Sequence, residues 1–203
     1  MAGRTRNTSK KRDEIIDAAA EVFVSAGYDN ASMDRIAEVA AASKRTVYNH
    51  FTSKEVLFRA VIGRFLRQSH ELKQIQYEPR KSLSAQLGRF ADSIIDLTRH
   101  AGWLGLVKVM TSLTVLQPEL VASTMTGLHD ERDSLEAWLE AATADGRLCV
   151  KRPALAARTF WAALSGAFLM PAIYLAPVPP QEASAIKAEL IAMLLARYSV
   201  TRA

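Results

Sequence analysis

A single cysteine, Cys149, stands in 203 residues, so no disulfide can close within the chain. Such a chain suits a reducing compartment. The sequence also lacks HExxH, a P-loop, a nucleophile elbow and any cysteine cluster, the patterns that announce zinc, nucleotide or acyl-transfer chemistry. His129 and Asp133 stand four apart on one helical face, but they sit in a charged run that reads as a solvated surface; no metal and no cofactor are expected. The 9 glycines and 7 prolines exclude collagen-like and low-complexity chains. Strand-type alternation is scarce. One uncharged run, Thr159 to Gln181, has the length of a membrane span, yet Gly166, Pro171, Pro177, Pro179 and Pro180 interrupt it. It is predicted to be a buried helix followed by a Pro-rich turn. The amino terminus has charge but no apolar stretch, so no signal peptide and a cytoplasmic, nucleoid-associated protein are expected.

What is present points to helices. Hydrophobic residues make up 49% of the chain and charged residues 23%, enough to bury a core without staples. The formal net charge is +5, and Arg4, Arg6, Lys10, Lys11 and Arg12, with no acid among them, account for all of it. A short basic stretch suits phosphates or a groove, unless it is merely a solvated terminus. Residues 1–10 are expected to form a flexible basic arm.

Helical periodicity predicts an all-α protein of about nine helices. The first runs from Lys11 to Ser25, with Ile15, Ile16, Ala19, Ala20 and Phe23 inward and Gly27 as its stop. Ser32 caps a short helix ending near Ala40, and a second short helix runs from Lys44 to His50. Ser53 caps the fourth. Pro79 opens a fifth, Gly102 precedes a sixth, and one segment, with a possible break at Gly127, runs from Pro118 to Asp145-Gly146. Pro153 opens a helix to about Leu175, kinked or broken near Pro171. The last is Glu182–Tyr198. The first domain is set at residues 11–62 and the second at 63–203.

Residues 32–51, SMDRIAEVAAASKRTVYNHF, are two short helices joined by a three-residue turn, the helix-turn-helix pattern. In that arrangement the second helix enters the major groove of double-stranded DNA. Lys44 and Arg45 can donate to guanine or phosphate, and Asn49 can read an adenine edge. Thr46, Tyr48 and His50 offer donors to phosphate oxygens, and Val47 should turn inward.

These residues resemble the TetR-type transcriptional regulators. The resemblance covers about residues 11–62: IIDAAAEVFVSAGYDNASMDRIA, then SKRTVYNHF, then SKEVLFRAVI. It rests on Phe23, Gly27, Tyr28, Ser32, Ser43, Lys44, Thr46, Tyr48, Phe51 and Lys54 at fixed spacing. It implies that Thr46, Tyr48, His50 and Lys54 grip the DNA backbone. It places Ser43, Lys44, Arg45 and Asn49 at bases or nearby phosphates. Arg4 and Arg6 would enter a minor groove while Lys10, Lys11 and Arg12 meet phosphates. The turn glycine usual in the family is Ala41 here, and a left-handed backbone would cost alanine about 1 kcal/mol. Arg45 replaces a small residue, so no base code carries over.

The segment LQPELVAS, with the later ADGRL, resembles the subgroup with an AefR-like carboxy-terminal domain. That likeness implies a homodimer on an inverted-repeat operator, built on the last two long helices. Phe160, Leu164, Phe168, Ile186, Leu190, Met193, Leu194 and Arg197 are its candidate interface, or alternatively monomer core. Trp103, Met110, Met125, Trp138, Trp161, Met170 and Tyr174 are large, adaptable groups that either line a pocket for an unknown small effector or fill the core. Few charges accompany them, which favours an apolar or aromatic ligand. A ligand-released repressor, not an enzyme, accounts for tail, motif and helical second domain together. The alternative is a helical small-molecule-binding or interaction protein whose helix-turn-helix regulates nothing.

Overall fold

The computed structural model describes residues 2–71, 75–126 and 134–200, with side chains from residue 9 and, in the first stretch, up to residue 67. The described residues are all-α apart from one isolated bridge, Leu148 to Ser199. The chain divides into two compact units, residues 1–68 with 101–129, and residues 69–100 with 130–203.

The first unit opens with α1 (Ala2–Asn30). This helix starts nine residues before the predicted Lys11, so the backbone expected as a flexible arm continues the helix. The side chains of Arg4 and Arg6 lie outside the described residues, as do His129 and Asp133. Gly27 breaks α1 as predicted, with φ +78° and ψ 167°. The break turns Tyr28 back into the core, where its ring stacks 5.8 Å from Phe23 and meets Phe58 edge-on at 4.9 Å. Helix α2 (Met33–Val39) is capped by Ser32, whose hydroxyl accepts from the Arg35 amide. Helix α3 (Lys44–His50) is capped by Ser43, accepting from the Thr46 amide. Between them Ala41 has φ +45°, the positive value foreseen for a position that glycine usually fills. Helix α4 (Lys54–Glu71) brings Leu57, Phe58, Val61 and Ile62 into the same core.

Two later helices, α6 (Ala101–Leu116) and α7 (Pro118–Met125), belong to this unit as well. The predicted division after residue 62 is therefore not where the packing divides. The reason is local. Gly105 lets α6 approach α1 so closely that a β-carbon there would stand 2.5 Å from a Val24 methyl, and Leu106 and Leu113 are buried in the core built by α1 to α4.

The second unit is built on α5 (Leu83–Arg99), α8 (Ser134–Ala144), α9 (Pro153–Leu164), a π-helical turn (Ser165–Leu169), α10 (Met170–Tyr174) and α11 (Pro180–Tyr198). Helix α5 starts four residues later than Pro79 suggested, because Ser82 caps it by accepting from the Ala85 amide. Counting α9 to α10 as one rod, the described residues hold ten helices, because the segment from Pro118 separates into α7 and α8. The predicted disturbance near Pro171 is the π turn. Proline has no N–H to give the preceding turn, and the widened turn absorbs that loss. Among the described residues no helix is long and apolar enough to cross a membrane.

Trp138 is core. It is 1% exposed, its indole N–H donates to Gln86 Oε1 at 3.1 Å, and Phe90 lies edge-on at 6.1 Å. Buried Gln86 is satisfied by the backbone of Glu78 and Lys81. The candidate dimer set also divides. Phe160, Leu164, Phe168 and Leu194 are buried within this one chain. Ile186 and Leu190 are half-buried, and Met193 and Arg197 are exposed. The outward residues include Leu155, Arg158, Ala162, Gly166, Met170 and Tyr174 on the rod and Glu182, Ala188, Glu189, Ala192, Met193 and Ala196 on α11.

Candidate nucleic-acid interface

At about 100° per residue, Lys44, Arg45, Tyr48 and Asn49 fall within about 140° of arc on α3. All four are exposed, and Val47, on the other side, is completely buried. The helix thus presents two cations, a phenol and an amide outward, with no acid of its own in its first turn. Its N-terminal partial charge adds to their field. Thr46 and His50 are half-buried and lie outside this arc, and the Thr46 hydroxyl lies 2.8 Å from that of Ser43. One O–H of the pair is used in that contact, and the other remains able to donate to a phosphate.

Lys44 is engaged by Asp34 of α2, with 2.5 Å between ammonium and carboxylate. That hydrogen bond, more than the accompanying charge, raises the Lys44 pKa above its ordinary value. Arg45, Tyr48 and Asn49 are the freer side chains.

Lys54, expected at the phosphates, is placed otherwise. Its ammonium donates to the carbonyls of Tyr28 at 2.8 Å and of Asp29 and Ala31 at 3.2 Å each. It also lies 4.4 Å from the centroid of the Tyr28 ring. Its three donors are spent on the chain linking α1 to α2. Lys11 likewise turns inward, donating to Glu14 Oε2 and to the Ala40 and Ala41 carbonyls, and the Arg12 guanidinium lies 5.0 Å over the Phe51 ring. Lys10 stays exposed at 4.0 Å from Glu14. Asp34, Lys11 and Arg12 act on α3 and the turn before it in ways that linear spacing did not reveal.

The aromatic and methionine candidates are dispersed. Trp103, Met110 and Met125 belong to the first unit and are half-buried; Trp138, Trp161, Met170 and Tyr174 belong to the second. Trp161 packs edge-on against Phe90 at 5.9 Å, while Met170 and Tyr174 are exposed. A cleft of about 430 Å³ in the first unit is lined by Val24, Tyr28, Asp29, Lys108 and Val109, and one of about 490 Å³ in the second by Arg89, Asp92, Asp96 and His100; none of the seven candidates lines either. No metal-binding cluster is present among the described residues.

A capped two-helix unit with a cationic, exposed second helix, set in an all-α frame, defines a helix-turn-helix DNA-binding protein. Residues 15–61 match the model for bacterial regulatory proteins of the tetR family, and residues 85–200 match that for the C-terminal domain of AefR-like transcriptional repressors. The chain belongs to the TetR family of transcriptional regulators, which are DNA-binding proteins and not enzymes.

Among curated relatives, the regulator UidR of Escherichia coli K12 is 33% identical over 112 residues, 55% of either chain. The chain thus spans about half the length of that relative. It also resembles, at 32% identity and a TM-score of 0.77, the crystal structure of a TetR family regulator from Pseudomonas syringae pv. tomato, covering 95% of this chain and 98% of that one. The flavonoid-responsive regulator FrrA is 25% identical with a TM-score of 0.76, over 96% of this chain and 100% of its own.

Proposed function

We propose that this protein is a cytoplasmic homodimeric repressor that reads an inverted-repeat operator with paired α3 helices and leaves it when a small apolar or aromatic ligand binds. The observation that carries this reading is the exposed face of Lys44, Arg45, Tyr48 and Asn49 over a buried Val47. Ser43, Thr46 and His50 are assigned to phosphates beside that face, and Arg4, Arg6 and Lys10 to the adjoining stretch of the duplex. A two-fold protein needs symmetric half-sites, about one helical turn or more apart. The outward faces of α9, α10 and α11, where Leu155, Met170, Tyr174 and Met193 are exposed beside Arg158 and Glu189, are assigned as the self-complementary surface, with Met193 60% and Tyr174 69% exposed in the single chain. Ile186, Leu190 and Arg197 border it. Repression agrees with the description of the matching C-terminal domain model, and FrrA, by name, responds to an aromatic compound class. Half-buried Trp103, Met110 and Met125 of the first unit are the side chains assigned to such a ligand. The ligand need only prefer the DNA-incompetent state, with coupling of about 1–3 kcal/mol.

The test selects bound duplexes from a random pool and titrates the winner by fluorescence anisotropy, with flavonoids and other aromatic compounds added. Enrichment of an inverted repeat, two chains per duplex, and release by one compound support the proposal. A protein that is monomeric at micromolar concentration with and without DNA contradicts it.

A further inference from the structure

We propose that Lys11 is a positioning residue for the recognition helix: it clamps the turn before α3 from inside the protein and does not touch DNA. Its ammonium sits 2.9 Å from Glu14 Oε2, 3.1 Å from the Ala40 carbonyl and 3.4 Å from the Ala41 carbonyl. Three N–H groups meet three acceptors, which leaves none for a phosphate. The side chain is only 30% exposed although it lies in the most basic stretch of the sequence.

The clamped turn is the one place where such a device is needed. Ala40 is the C-cap of α2, and Ala41 holds φ +45°, a backbone that alanine avoids and glycine adopts readily. Helix α2 has no basic residue in its last turn to meet its terminal carbonyls. Lys11, supplied by α1, provides that positive charge across 29 residues of sequence. Ser43, the N-cap of α3, follows Ala41 by two residues, so the conformation at Ala41 sets where α3 begins. Arg12, over the ring of Phe51, fixes the other end of the same short helix.

The test uses the full chain, the duplex selected from random sequence, and a scrambled duplex. Lys11→Met should weaken the selected duplex about tenfold, the scale of removing a charge-assisted hydrogen-bond set, and weaken the scrambled duplex less. The slope of log affinity against log salt should not change, since Lys11 neutralises no phosphate. In an Ala41→Gly background the same Lys11→Met change should cost about threefold or less, because glycine holds the turn unaided. If Lys11→Met does not fold by circular dichroism, the Ala41→Gly double variant should restore folding, and Lys11→Gln carries the binding measurements. A slope reduced by about 0.9 for each phosphate no longer neutralised would make Lys11 a phosphate ligand and overturn the proposal. An equal drop in affinity with and without the Ala41→Gly change, or no restoration of folding by Ala41→Gly, would overturn it as well.

Discussion

Asp34 and Lys44 face each other across the α2–α3 turn with 2.5 Å between carboxylate and ammonium, so one of the cations on the reading face is neutralised before DNA arrives. Both groups are more than half exposed, so the pair adds little to stability and its consequence lies in binding. Lys44 must leave Asp34 to reach a phosphate, and Asp34 repels the backbone of any duplex. Asp34→Asn should therefore tighten scrambled DNA more than operator DNA, with a salt slope steeper by up to about 0.9 per subunit. Anisotropy titrations across a salt series measure both quantities. Equal tightening on the two duplexes would mean that Asp34 does not contribute to discrimination.

Lys54→Met should act on folding before it acts on DNA. Its ammonium serves three carbonyls after the α1 break, and α1 has no basic residue in its own last turn. Loss of these bonds should cost about 1.5–3 kcal/mol of unfolding free energy, with an unchanged salt slope for the fraction that remains folded. Urea unfolding of the full chain checks this. A wild-type midpoint with a reduced slope would return Lys54 to the phosphates.

Gly105 is the position where α6 tolerates no side chain. Gly105→Ala places a β-carbon 2.5 Å from Val24 Cγ1 and 2.9 Å from Cγ2, on a β-branched side chain with little room to turn. Destabilisation of about 1–3 kcal/mol is expected, and Val24→Ala in the same chain should recover most of it. Thermal melts of the two single variants and the double variant decide the matter.

Alkaline pH should expose the burial of Tyr28. Burial, with a smaller contribution from the Glu55 carboxylate, pushes its phenol from 10.0 up to about 12. The folded-state value is the higher one, so the contribution is fully present below pH 10 and is lost as pH rises toward 12. At about 1.4 kcal/mol per unit, the loss is roughly 2–3 kcal/mol. Tyr28→Phe should remove this decline between pH 10 and 12. Urea midpoints at pH 9 and 11 for both chains measure it; parallel declines would assign the effect elsewhere.

The helices, their caps at Ser32, Ser43 and Ser53, and the break at Gly27 were legible because each depends on a few neighbouring residues. The strain at Ala41 was legible too, from a missing glycine. Lys11, Lys54 and Arg12 were read as phosphate ligands because charge in a basic stretch says nothing about which way a side chain turns; the carbonyls and the ring that hold them lie 23 to 39 positions away. The placement of α6 beside α1, with α7 packed on α6, was hidden for a similar reason: a close approach at Gly105 has no local signature. Apolar periodicity marks inward faces without saying whether another helix of the same chain or a second chain covers them. Phe160, Leu164 and Phe168 turned out to be covered by their own chain, while Met193 was not.

On the proposed function, the outward face of α3 reads base sequence. Arg45 tests it most directly, because it is exposed at the start of the helix and replaces a small residue of the family pattern. Affinities of the wild-type and Arg45→Ala chains are to be measured on the selected duplex and on its single-base-pair variants at one salt concentration. Arg45→Ala should lose about 1–3 kcal/mol of discrimination at one or two base pairs in each half-site and keep the rest of the preference. If Arg45→Ala weakens every duplex by the same factor, α3 grips the backbone there without reading it.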